Sequence, residues 1–383
     1  FKGHTDTSGK RWSENAVEQH LDSIGAKVHA DADSEWSRVS LSVPQTNSTA
    51  EHVAFLFDAW TAPTIDNQIF ARERQRTINE LERWERDPGY LGEMAYRKAM
   101  LNGHPYQLGY GYGTRATLAG LDPRHIEARL TALRSAAGVT VFVVGPEDVA
   151  VMDRVRQRLS TLTAGSSPPP TIPAPAPTTA ELVEVIRPEM DQIGLTFGAL
   201  GDAATSADRL AFEVMARMLT GGFTSALVDE LRVNRGLTYG ISLRQPWLGQ
   251  RFPFAFRTST RAEKAHELLT VAFTEIVALA RGEFDASLLE TAKNLLATDL
   301  AASAETQIGA ADAMYGGLLH FDDPMRHAKR LAGIAAVSRA DILRVAKQLD
   351  PAGMTIVAVG DAERLQAADL GSVKRPSIAN HSR

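Results

Sequence analysis

Apolar residues recur at helical spacing in Asn15–Ile24, Ala50–Ala59, Asp66–Arg86, Leu91–Leu101, Pro123–Leu133 and Pro146–Leu159. One segment in this part alternates instead. In Trp36–Val43, Val39, Leu41 and Val43 fall on one side and Arg38, Ser40 and Ser42 on the other, which predicts a half-buried strand. Beyond residue 180, strands are expected at Leu182–Ile186, Gln192–Phe197, Thr238–Leu243, Phe254–Thr258 and Thr355–Val359. Helices are expected at Ser206–Leu219, Ser225–Asn234, Ala262–Ala280, Ser287–Ala302, Gln307–Leu319 and Arg339–Leu349. Hairpin-like strands beside clustered helices predict α+β domains, each a mostly antiparallel sheet with helices packed on it.

The chain has 383 residues, enough for two or three cores. Its clearest interruption is the run from Ser166 to Pro177, dense in proline. Proline lacks a backbone donor and favours extended geometry, so the run reads as a semi-rigid linker. The division expected is a first domain over 1–165, a linker over 166–178, a second domain over 179–365 and a polar tail over 366–383. The two parts resemble each other. Leu118-Ala119-Gly120-Leu121 leads into a helical stretch and then Gly138–Gly145; Leu331-Ala332-Gly333-Ile334 leads into another and then Gly353–Gly360. Both pairs are separated by nearly the same number of residues, which argues for two homologous tandem domains.

Composition narrows the function by exclusion. The apolar fraction is 44% and the charged fraction 23%, ordinary for a globular chain, and a net charge of −5 gives no argument for a nucleic-acid partner. No apolar window is long enough to predict a membrane span. The absence of cysteine excludes disulfides, thiolate metal sites and a cysteine nucleophile, but does not fix the compartment. The chain does not begin with Met, so a further N-terminal segment is expected.

The most informative stretch runs from Leu219 to Tyr239. A glycine-bearing turn, Gly221-Gly222, opens a helix that Thr224 or Ser225 would cap. Leu227 and Leu231 form its apolar stripe. Gly236 would end it in a left-handed cap, and Tyr239 would stand on the following strand, so that Arg232 and Tyr239 converge at the turn. This order of Gly-Gly, Ser, apolar helix, Leu-Arg, Arg-Gly-Leu and Tyr resembles the second-half signature of the pitrilysin/insulinase family of zinc peptidases, in its bacterial, mitochondrial-processing-peptidase-like form. The resemblance implies that Arg232 and Tyr239 bind substrate and help stabilise the reacting carbonyl.

The family's zinc motif, H-x-x-E-H, contains none of the ten histidines. Phe1-Lys2-Gly3 looks like the segment that follows that motif in catalytic members. Ile24–Ala32 resembles the family's substrate-pairing edge, with Ala30 as the substrate-binding position; His29 stands where Asn is usual. Glu73 and Glu80 lie two helical turns apart on one predicted face. By resemblance Glu80 is the third zinc ligand and Glu73 the carboxylate supporting it. His104-Pro105-Tyr106 reads as a folded loop closing the first domain, and Phe321-Asp322-Asp323-Pro324 as a helix-starting turn.

The resemblance implies a clam-shell dimer, with a homologous subunit as partner in a homodimer or heterodimer. Between the subunits a zinc-dependent endopeptidase chamber would take unfolded peptides. The alternative is a non-catalytic partner or structural homologue that supplies only the Arg/Tyr half of the site. The location implied is the bacterial periplasm, with the cytoplasm as the other choice.

Overall fold

The computed structural model describes residues 3–33, 36–108, 113–165, 172–202, 205–246, 251–321, 323 and 326–378. Contacts divide the chain into two compact units, Phe1–Arg83 with Gly109–Thr171, and Trp84–Leu108 with Ile172–Arg383.

The first unit carries two antiparallel hairpins, Gly3–Thr5 with Arg11–Ser13 and Lys27–Ala32 with Ser37–Ser42. The first hairpin turns around Asp6. One of its carboxylate oxygens accepts from the Ser8 and Lys10 amides at 2.9 and 3.0 Å, and the other accepts from Trp12 Nε1 at 3.0 Å. Hydrogen bonds from Ser8 and Trp12 hold this carboxyl well below the usual carboxylate range. In the second hairpin Asp31 faces Arg38 across the strands, and the two form a bidentate pair at 3.0 and 2.9 Å. Helices Glu14–Ser23, Thr49–Thr61, Asn67–Trp84, Pro123–Leu133 and Val149–Leu159 account for most of the rest. Val17, Phe55, Phe57, Val151 and Val155 are buried here. Asp58 is buried too, and pairs with Arg158 at 3.0 Å.

The second unit is built on a five-stranded sheet in the order Leu182–Ile186, Thr355–Gly360, Ile193–Asp202, Arg251–Thr260, Ile241–Arg244. Only the first pair is parallel. Alternation assigns the two faces. Phe252, Phe254, Phe256, Ile356 and Ala358 enter the main core with helices Ser206–Thr220, Ala262–Ala280 and Arg339–Ala346. Ala255, Val357 and Val359 point the other way, into a second cluster with Tyr96, Met100, Leu101 and Tyr106.

That second cluster corrects the division at the proline-rich run. Helix Pro88–Met100, capped by Asp87 and started by Pro88, belongs to the second unit rather than to a domain over 1–165. Gly92 lets it approach closely, since a Cβ there would lie 3.3 Å from Thr196 Oγ1 and 3.4 Å from Val359 Cγ2. Tyr96 donates its hydroxyl proton to Phe254 O at 2.5 Å. The His104 loop goes with this helix, its ring nitrogen meeting Pro173 O at 2.7 Å, so it does not close the first unit. Within the expected linker, Ser166–Thr171 lies outside the described residues, whereas Ile172 packs on the second cluster.

The expected polar tail is also corrected. Helix Ala362–Ala368 buries Leu365 and Ala368, and Leu370 and Val373 follow them into the core. Arg375 donates to Met354 O at 2.8 Å, and Ser377 and the Ile378 amide reach the Asp350 carboxylate at 3.0 and 3.1 Å. Ala368, Leu370 and Val373, spaced among polar neighbours, dock the segment. Asp322 and Pro324 of the expected helix-starting turn lie outside the described residues, as do Phe1 and Lys2.

Candidate functional site

Helix Ser206–Thr220 ends at Gly221, and the chain turns through Gly222 and Phe223 to Ser225. Ser225 is the residue before helix Ala226–Val228, but its hydroxyl makes no cap bond; it donates instead to Gly222 O at 2.6 Å and so closes the turn. The helix widens into a π-helical turn over Asp229–Asn234. Leu227 and Leu231, the expected stripe, are fully buried. Gly236 has φ +59°, as the left-handed cap requires. The Leu237 amide then closes on Leu231 O at 2.7 Å.

Tyr239 lies just before strand Ile241–Arg244 rather than on it, because Thr238 curls the backbone. The buried Thr238 hydroxyl accepts from the Gly240 amide at 3.1 Å and donates to Ser259 O at 2.8 Å. The Thr258 hydroxyl lies 2.7 Å from Thr238 Oγ1 and 2.8 Å from Gly240 O, and Thr260 donates to Leu237 O at 2.5 Å. Three threonines thus pin both sides of Tyr239, whose ring is 87% exposed.

The structure brings Arg232 and Tyr239 together, with the guanidinium carbon 4.8 Å from the Tyr239 ring centroid. On its other contact the same guanidinium lies 4.7 Å from the ring of Phe223, itself 65% exposed. Among the described residues neither the Arg232 fork nor the Tyr239 hydroxyl has a hydrogen-bond or ion-pair partner. Neighbouring charges are satisfied among themselves. Glu230 accepts from Asn234 at 3.0 Å and from Arg235 at 2.6 Å, and these two hold its carboxyl below the usual range. The half-buried Arg232 guanidinium and the exposed Tyr239 phenol therefore sit side by side on a fixed frame.

The other expected positions lie in the first unit. Ala30 is exposed on strand Lys27–Ala32, paired with Val39. Its neighbour His29 is exposed as well. Glu73 and Glu80 lie on helix Asn67–Trp84, both half-buried. Glu73 is engaged by Arg72 and Arg76, each at 3.1 Å. Glu80 has no such partner among the described residues. Phe223 was not singled out by the sequence; the available signal was a large apolar residue inside a Gly-Gly turn, where burial has no use for it.

The sequence comparisons identify the family. The profile of Insulinase (Peptidase family M16) matches residues 5–108 and that of the Peptidase M16 inactive domain matches residues 126–296. The chain belongs to the pitrilysin/insulinase-type M16 family. It is 25% identical over 194 residues to an uncharacterized zinc protease of Streptomyces coelicolor, a match spanning 49% of this chain and 41% of that protein. The chain thus spans less than half the length of this curated relative.

Among solved structures, a peptidase M16 inactive domain from Pseudomonas fluorescens has a TM-score of 0.81 at 21% identity, covering 94% of this chain and 86% of that one. A protease from Helicobacter pylori has 0.80 at 16%, covering 91% and 85%. The periplasmic protease PqqL of Escherichia coli has 0.76 at 14%, covering 91% and 39%. At these identities the likeness is one of fold.

Zinc is the metal such relatives imply. A catalytic zinc ion takes at least three protein ligands. No group of three or more His, Asp or Glu side chains able to hold a metal occurs among the described residues. One unpaired carboxylate, Glu80, is not a zinc site. The described residues do not fit the ion, and no chemical step is assigned to it. No helix among them is long and apolar enough to cross a membrane.

Proposed function

We propose that this chain serves a zinc-dependent endopeptidase as the component that grips an extended, unfolded peptide, with Arg232 and Tyr239 as the gripping pair. The observation that carries this reading is the unpaired guanidinium held against the exposed Tyr239 ring. A planar fork without an acceptor of its own is pre-organised to donate to two peptide carbonyls, and the phenol beside it is free to donate to a third oxygen. A donor fixed before substrate arrives stabilises charge as it develops on a carbonyl oxygen.

In this reading a homologous subunit, identical or not, completes the site, and hydrolysis belongs to the assembly. Strand Lys27–Ala32 adds a peptide as a further strand, with Ala30 at the pairing position. Glu80, with Glu73 two turns before it, is the carboxylate proposed to face the metal side of the assembly. The periplasm is the proposed location.

The test uses the full-length protein with whatever subunit co-purifies. Tyr239→Phe keeps the exposed ring and removes only the hydroxyl. Turnover of an unstructured peptide should fall about 10²–10³-fold with KM little changed. Unchanged turnover removes the role. Zinc content of the purified assembly, by elemental analysis, separates a catalytic assembly from one in which this chain is a non-catalytic partner.

A further inference from the structure

We infer that Phe223 is a positioning residue, which together with Tyr239 holds the Arg232 fork and so sets how it meets a peptide. The inference rests on the assignment of Arg232 and Tyr239 to peptide binding. An exposed phenylalanine does little for the core, yet this one sits 4.7 Å from the guanidinium, matching the 4.8 Å of Tyr239. Both rings are anchored to one frame. Thr220, the last residue of its helix, accepts from the Leu243 amide at 3.2 Å. That bond ties the turn carrying Phe223 to the strand that follows Tyr239. Ser225 closes the same turn through Gly222 O at 2.6 Å.

A guanidinium held against two rings on one frame samples fewer orientations than one held against a single ring. With one ring it would swing about several side-chain torsions, and the ordering would have to be supplied by the peptide. Phe223 therefore acts through Arg232 rather than by chemistry of its own.

The experiment measures binding of a fluorescein-labelled unstructured peptide of about twenty residues to the full-length protein by anisotropy, which needs no turnover. Phe223 is exposed, so Phe223→Ala should leave the thermal midpoint unchanged. Its Kd should rise about threefold to tenfold, Phe223→Tyr or Phe223→Trp should restore it, and Phe223→Leu should not. In an Arg232→Ala background, Phe223→Ala should change nothing further. If Arg232→Ala weakens binding but Phe223→Ala does not, the inference fails while the peptide-binding assignment stands. An undiminished loss in the Arg232→Ala background also overturns it, since Phe223 would then touch the peptide directly. If Arg232→Ala leaves binding unchanged, or the wild type shows no saturable binding, the assignment and the inference fall together.

Discussion

Thr238→Val tests whether the threonine latch holds Tyr239 in place. Valine matches threonine in shape, so the substitution removes only the hydroxyl from a position that is 8% exposed. Its bonds to two backbone partners are lost, the acceptance from the Gly240 amide at 3.1 Å and the donation to Ser259 O at 2.8 Å, together with the contact to the Thr258 hydroxyl at 2.7 Å. A net hydrogen bond is worth ~0.5–1.5 kcal/mol, and a buried group left unsatisfied costs ~1–3 kcal/mol. Ser259 O is the more enclosed of the two partners, whereas Gly240 is exposed and its amide can turn to water. The expected loss is therefore about 2 kcal/mol, below the sum of the two full penalties. Much of it should appear as local opening of 236–240 rather than as global unfolding, since Thr258 and Thr260 still hold the flanks. Hydrogen exchange at the Gly240 amide should accelerate about tenfold or more, and peptide turnover should fall toward that of Tyr239→Phe. Thr238→Ser keeps the hydroxyl and should recover most of both. If Thr238→Val exchanges and turns over like the wild type, the latch does not set the position of Tyr239.

Gly236→Ala should cost about 1 kcal/mol in urea unfolding, because φ is +59° and a Cβ there meets nothing within 4 Å, so the penalty is conformational alone. Gly236→Asn should cost less than half as much, and a neutral alanine would refute the left-handed cap. His4 is fully buried among the rings of Trp12 and Phe55 with neither ring nitrogen hydrogen-bonded among the described residues, and burial pushes it, like His20, below the ordinary imidazole value. A lowered imidazole contributes stability that is complete above about pH 6.5 and lost as pH falls toward the folded value. The first unit should therefore unfold at lower urea at pH 5.5 than at pH 7.5, and His4→Leu should flatten that slope; an unchanged slope would acquit His4.

The second unit was largely legible in the sequence. Phe252, Phe254 and Phe256 alternate with Pro253 and Ala255, and each set goes to its own face of the sheet. Helix Ala262–Ala280 carries an apolar face too broad for a surface helix, and ten of its residues are buried. What periodicity does not encode is the address of a face. Leu91, Tyr96 and Met100 mark an amphipathic helix, but nothing in their spacing says that the sheet they cover begins more than eighty residues later. The proline run drew the boundary to itself because composition reports where chain is extended, not where a preceding helix is buried. Helix Arg326–Ala336 shows the opposite case: Leu331–Ile334 resembles the approach to a helix, yet these residues lie inside one.

The Arg–Tyr pair shows where a motif ends and a fold begins. Seven residues along an uninterrupted helix would set Tyr239 two turns beyond Arg232 on the same face, about 10 Å away along the axis. The Arg232 guanidinium carbon lies 4.8 Å from the Tyr239 ring centroid because the helix does not continue. It widens at Asp229–Asn234, reverses at Gly236, and closes from the Leu237 amide onto Leu231, one residue further back than a regular Schellman closure would reach. The extra residue in the π turn and the reversal together fold Tyr239 back onto the guanidinium. Spacing in the sequence identified the two residues, but the widened turn, Gly236 and Thr238 make them neighbours. A substitution that restored a regular α-helical turn there would keep the motif and separate the pair.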